Sequence, residues 1–122
     1  MVYFLIVLYL YIGGEMGINQ EIKPITTVRH GNLSIGGCDL TDLANKYGTP
    51  LYVIDEQTLR GVCQEYKHAF RNYKNIKMTY ASKALCNTSV SRIIEEEGFG
   101  FDAVSAGELY TLYKAGVNMA NV

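Results

Sequence analysis

From Leu33 onward the chain alternates short strand-like runs with helix-like runs, and this rhythm constrains its fold more than any other feature. Leu33-Ser34-Ile35 alternates with period two and stops at Gly36-Gly37, which reads as a short strand. Asp39 to Tyr47 reads as a helix, with Leu40, Leu43, Ala44 and Tyr47 at helical spacing and Gly48 as its stop. Pro50 opens a strand over Leu51 to Ile54, and Asp55 suits the N-cap of a helix from Glu56 to about Tyr73. Leu59, Val62, Cys63, Tyr66 and Phe70 form its apolar face. Ile76 to Ala81 is the next strand, and Ser82-Lys83-Ala84 stands at its exit. Asn87 caps a helix from Thr88 to Glu97, with Val90, Ile93 and Ile94 facing inward and Gly98 as its end. Phe99 to Val104 forms another strand. Ser105 and Glu108 then fit a capping box for a helix to Ala115, which Gly116 ends. Val117 to Val122 reads as the approach to a further strand. Strand–helix alternation without hairpin signals predicts parallel βαβ units. The repeat from Ile76 is about twenty residues, which suits a barrel or a doubly wound sheet.

Several function classes are disfavoured by composition. The 122-residue chain carries a net charge of −1 and shows no basic stripe, so nucleic acid is not an expected partner. Cys38, Cys63 and Cys86 are widely spaced, with no CxxC pair, so neither a zinc site nor a disulfide framework is expected. Reduced thiols in a cytoplasmic protein are the simpler reading. No GxGxxG turn or P-loop opens any helix. Met1 to Ile12 is uncharged and apolar or Tyr throughout, but shorter than the ~20 residues a membrane span needs. A secretory signal would need a basic start and a small-residue cleavage site. Residues 1–15 are therefore read as an apolar N-terminal extension, either a buried strand or a misassigned start upstream of Met16. Residues 16–122 are read as the folded domain.

Functional groups in a parallel barrel gather at the C-terminal strand ends. Lys83, Asp102 and Glu108 meet that condition. Neighbouring strands lie ~4.8 Å apart, so Lys83 and Asp102 can approach each other there. Spacing alone nevertheless favours a solvated loop lysine at Lys83 and a loop aspartate beside a cation at Asp102. The capping box is a sufficient account of Glu108, and His30 and His68 read as solvent-exposed.

Tyr80-Ala81-Ser82-Lys83-Ala84 adds a stronger signal, because it resembles the cofactor-lysine motif of alanine-racemase-like barrel enzymes that use pyridoxal 5'-phosphate (PLP). The stretch Glu95-Glu96-Glu97-Gly98-Phe99-Gly100-Phe101-Asp102-Ala103-Val104-Ser105-Ala106-Gly107-Glu108-Leu109 resembles a stretch of the diaminopimelate decarboxylases, as does Tyr47-Gly48-Thr49-Pro50-Leu51-Tyr52-Val53-Ile54-Asp55 upstream. The three motifs occur in that family's order. The resemblance implies an α/β fold: a partial PLP-binding TIM (β/α)8 barrel of the alanine-racemase-like type, truncated after about two barrel strands. It implies PLP as cofactor, held as a Schiff base on Lys83, with Ala81 lining the pocket and Asp102 favouring the protonated imine. Lysine suits this role because a desolvated amine is a nucleophile. The cofactor would act as electron sink for the carbanion left by loss of CO2. The implied reaction is decarboxylation of meso-diaminopimelate to L-lysine in lysine biosynthesis, on a small-molecule amino-acid substrate, by a cytoplasmic homodimer. No metal site and no membrane partner are implied.

Ala103, Ala106 and Leu85-Cys86 depart from the usual family residues. The family's glycine-rich phosphate loop, the acid partnering the pyridine nitrogen and the C-terminal β-domain have no counterpart here. The chain is thus expected to be an N-terminal fragment, inactive alone and prone to aggregate through uncovered strand edges. Two alternatives remain open: an ornithine, arginine or carboxynorspermidine decarboxylase fragment, and a non-catalytic α/β module.

Overall fold

A computed structural model describes residues 2–3, 26–29 and 31–122. The chain divides into two units, Met1–Thr58 and Leu59–Val122. Most of the apolar extension, Met16 and His30 lie outside the described residues, so the expectations placed on them have no structural counterpart here.

In the first unit β1 (Val2–Tyr3) pairs antiparallel with β5 (Ile54–Asp55), matching Val2 with Asp55 and Tyr3 with Ile54. β2 (Thr26–Arg29), β3 (Asn32–Ile35) and β4 (Cys38–Asp39) form a separate antiparallel sheet in sequence order. This corrects the expectation of a chain without hairpins. Gly36 and Gly37 do more than stop a strand, because they reverse the chain so that Ile35 pairs with Cys38. Both have positive φ, 55° and 78°, the backbone that a two-residue hairpin of the favoured primed type requires. Helix α1 (Leu40–Tyr47) begins as its sequence suggests, with the Asp39 carboxylate accepting from the Thr41 and Asp42 amides. Its expected apolar face is not buried, and Tyr47 is exposed.

The expected strand from Leu51 contracts to Ile54–Asp55, the part with a β1 partner. Asp55 then serves the start of α2 (Glu56–Ala69), accepting from the Gln57 amide at 3.1 Å and the Thr58 hydroxyl at 2.7 Å. Of the five residues assigned to the apolar face of α2, only Cys63 is buried, while Tyr66 and Phe70 are exposed. The helix ends at Ala69, so Phe70 lies beyond it.

The second unit contains the parallel element that the alternation predicts. β6 (Thr79–Ala81) and β7 (Gly100–Asp102) run side by side in parallel, with Thr79 beside Gly100, Tyr80 beside Phe101 and Ala81 beside Asp102. α3 (Thr88–Glu96) connects them, and α4 (Ala106–Ala115) follows β7. Val90, Ile93 and Ile94 of α3 are buried with Phe101, Leu112, Ala115 and Val117, and this apolar set is the unit's core. Tyr80 and Phe101 meet edge to face, ring centroids 6.3 Å apart. Asn87 caps α3 through the Val90 amide, and Ser105 caps α4 through the Glu108 amide. Gly116 ends α4 at φ 79°, a left-handed conformation that costs glycine least. The last segment forms a 3-10 turn over Met119–Asn121, where a further strand was expected.

Just beyond α3, the Glu97 carboxylate has three side-chain partners. Arg60 and Lys67 reach it from α2 at 3.1 Å each, and Gln64 donates to it as well. Lys67 also donates to its backbone carbonyl at 2.9 Å. These bonds fix α2 against the C-terminal end of α3.

Candidate active site at the exits of the parallel strands

Both parallel strands end on the same side, because parallel neighbours share direction. Ala81 ends β6 directly beside Asp102, which ends β7. The chain leaving β6 turns at once into a single 3-10 turn, Ser82–Ala84, and this turn carries Lys83. Lys83 and Asp102 are both exposed, and Ala81 is half-buried between strand and turn. The three residues singled out from the sequence therefore share one strand-exit region.

Two details differ from the expected picture. Lys83 and Asp102 form no ion pair with each other, unlike Arg60 with Glu96 and Glu97, or Lys67 with Glu97. The lysine also stands in the open, so the described residues do not supply the desolvation expected around a nucleophilic amine.

The residue that sequence reading missed is Ser82. It has no solvent exposure, and its hydroxyl lies 2.9 Å from the Asp102 carbonyl oxygen and 2.8 Å from the Glu108 carboxylate. Its only sequence signal is a small polar residue immediately before Lys83, too common to single out. Glu108 also does more than cap α4. Its carboxylate accepts from the Val104 amide at 2.9 Å and the Ser105 hydroxyl at 3.1 Å, as well as from Ser82. The Val104 amide, then Ser82, hold this carboxyl below the usual carboxylate value against the opposing effect of burial, and smaller effects of Ser105 and the Lys83 cation add to them. Cys86 sits beneath, its thiol 3.9 Å from the Glu108 carbonyl and pushed up by burial and by the Glu108 charge.

A cofactor with an aldehyde needs a primary amine on an accessible, well-anchored backbone, and Lys83 supplies one at the end of β6. The placement of this amine fits such a group, while its desolvation is not supplied by the described residues. Among the described residues no cluster of His, Cys, Asp or Glu is arranged to hold a metal, and no helix is long and apolar enough to cross a membrane.

Comparison with known proteins gives this geometry a setting. The family described as "Pyridoxal-dependent decarboxylase, pyridoxal binding domain" matches residues 56–122, the stretch that holds β6, β7 and α4. Diaminopimelate decarboxylase of Synechocystis sp. is 43% identical over 101 residues, covering 80% of this chain and 22% of the relative. That of Methanothermobacter thermautotrophicus is 50% identical over 90 residues, covering 70% and 20%. The crystal structure of diaminopimelate decarboxylase from M. jannaschii superposes with a TM-score of 0.69 at 34% identity, covering 75% of this chain and 22% of that one. The same enzyme has been solved in complex with L-lysine, with a TM-score of 0.68. The chain spans about a fifth of the length of the curated relatives it matches.

Proposed function

The chain belongs to the pyridoxal-dependent decarboxylase family through its pyridoxal binding domain, and from that premise we propose that it serves decarboxylation of meso-diaminopimelate to L-lysine. In this reading β6 and β7 are adjacent strands of an alanine-racemase-like (β/α)8 barrel. Lys83 holds PLP through its amine, Ala81 lines the cofactor's edge, and Asp102 supplies a carboxylate beside the amine. Bound there, PLP supplies the electron sink that a departing CO2 requires. The contribution of this chain is to present the amine at a strand end and to keep a negative charge close to it. The observation that carries the reading is the parallel register that sets Ala81 beside Asp102, with Lys83 on the turn leaving the same strand. Diaminopimelate is favoured as substrate because the curated relatives described above carry that activity in their names at 43% and 50% identity. A homodimer in the cytoplasm is the expected setting.

The test is CO2 release by the native gene product, supplied with PLP, from meso-diaminopimelate, ornithine and arginine in parallel. Preference for meso-diaminopimelate, abolished by Lys83→Ala, is the expected result. Preference for ornithine or arginine would overturn the substrate, and activity surviving Lys83→Ala would overturn the site.

A further inference from the structure

Ser82 is fully buried, yet it is polar and lies 26 residues from its carboxylate partner. A buried hydroxyl loses solvation and gains nothing over alanine unless its bonds are made. Here they are made across three elements. The hydroxyl has one proton and two acceptors, the Asp102 carbonyl and the Glu108 carboxylate, and the ionised acceptor is the stronger. Glu108 is in turn held by the Val104 amide and the Ser105 hydroxyl. A capping box needs the Glu to accept only from the N-cap amide, and here it accepts from the Val104 amide just before the Ser105 N-cap. The extra bond to Ser82 ties the exit of β6 to the exit of β7 and the first turn of α4, one residue before Lys83.

We propose that Ser82 and Glu108 are a positioning pair for Lys83. Their hydrogen bond fixes the backbone from which the lysine projects. Neither residue reacts. The inference rests on Lys83 as the cofactor lysine only for its consequence, since the pair itself is a property of the chain without cofactor.

Two measurements on the full chain test it. The first needs no cofactor: the Glu108 carboxyl is titrated by NMR in chain labelled with 13C-glutamate. It is expected to titrate below 4.5 in the wild type and to move upward in Ser82→Ala. A titration untouched by that substitution would overturn the pair. The second measures the share of PLP fixed on Lys83, relative to the other lysines, after borohydride reduction. Ser82→Ala removes the hydroxyl that joins the β6 exit to Glu108 and leaves the Val104 and Ser105 bonds in place, and the Lys83 share is expected to fall about fivefold. An unchanged share with a lowered unfolding midpoint would make the bond a matter of stability alone and overturn the proposal. If the wild type fixes no PLP selectively on Lys83, the cofactor reading fails, and the NMR titration still decides the pair.

Discussion

Gly100 opens the strand that ends at Asp102, and replacing it with alanine probes how tightly that strand is held from below. A Cβ built on Gly100 would lie 2.7 Å from the Asn121 carbonyl oxygen and 3.0 Å from Lys77 Cε. The lysine stem can swing away. The carbonyl belongs to the Met119–Asn121 turn and yields only if backbone moves. Overpacking of this kind costs roughly 1–3 kcal/mol, offset by roughly 0.4–1 kcal/mol from a stiffer unfolded chain. Gly100→Ala should therefore destabilise the chain by about 1–2 kcal/mol. Gly61 is the control. It lies inside α2, and a Cβ there meets nothing within 4 Å. Gly61→Ala should stabilise by roughly 0.5–1 kcal/mol through helix propensity and a stiffer unfolded chain. Urea unfolding followed by circular dichroism reads both, at equal slope, as midpoints shifted in opposite directions. A Gly100→Ala midpoint shifted upward, like that of Gly61→Ala, would refute the reasoning, because it would mean that the Asn121 carbonyl does not stand against β7.

Two other groups give pH-dependent expectations. Burial pushes the Glu97 carboxyl up, but the hydrogen bonds from Arg60 and Lys67 outweigh it and hold the group below its ordinary 4.5. A depressed carboxyl stabilises the fold above the unfolded value and loses that contribution as pH falls through the folded one. The urea midpoint should thus drop below about pH 4.5, and Glu97→Gln should flatten that drop while lowering the midpoint near neutrality. Burial likewise pushes the Tyr80 phenol from 10.0 up to about 12. Only the unfolded chain loses this proton between those values, so the associated stability is complete below pH 10 and disappears as pH rises toward 12. Tyr80→Phe should remove that alkaline loss, at a cost of about 1 kcal/mol near neutrality for the bond to the Leu85 carbonyl.

Local chemistry made much of the second unit legible. Asn87 and Ser105 announce helix starts because a short polar side chain can satisfy an orphan amide two or three residues on, and both do so. Val90, Ile93 and Ile94 repeat at helical spacing because one face must be buried, and they are. The parallel pairing of β6 with β7 followed from a helix standing between two strands. The first unit was harder to read. Gly36-Gly37 punctuates a strand and also builds a hairpin, and only its pairing partner distinguishes the two. Exposed Tyr47, Tyr66 and Phe70 fit an apolar helical face as well as buried residues do, so periodicity overstated the cover they receive. At the strand exits, motif resemblance singled out Lys83 and Asp102, and the structure places them at the ends of neighbouring strands. The Ser82–Glu108 bond was invisible because it joins residues distant in sequence, and Glu108 already had a sufficient local explanation as a cap.

Incubating the chain with PLP, reducing with borohydride and mapping the modified peptide tests the central claim most directly. The account predicts one dominant adduct, on Lys83, that vanishes in Lys83→Ala without reappearing elsewhere. Label spread over Lys46, Lys67, Lys77 and Lys114, and unchanged by that substitution, would contradict it.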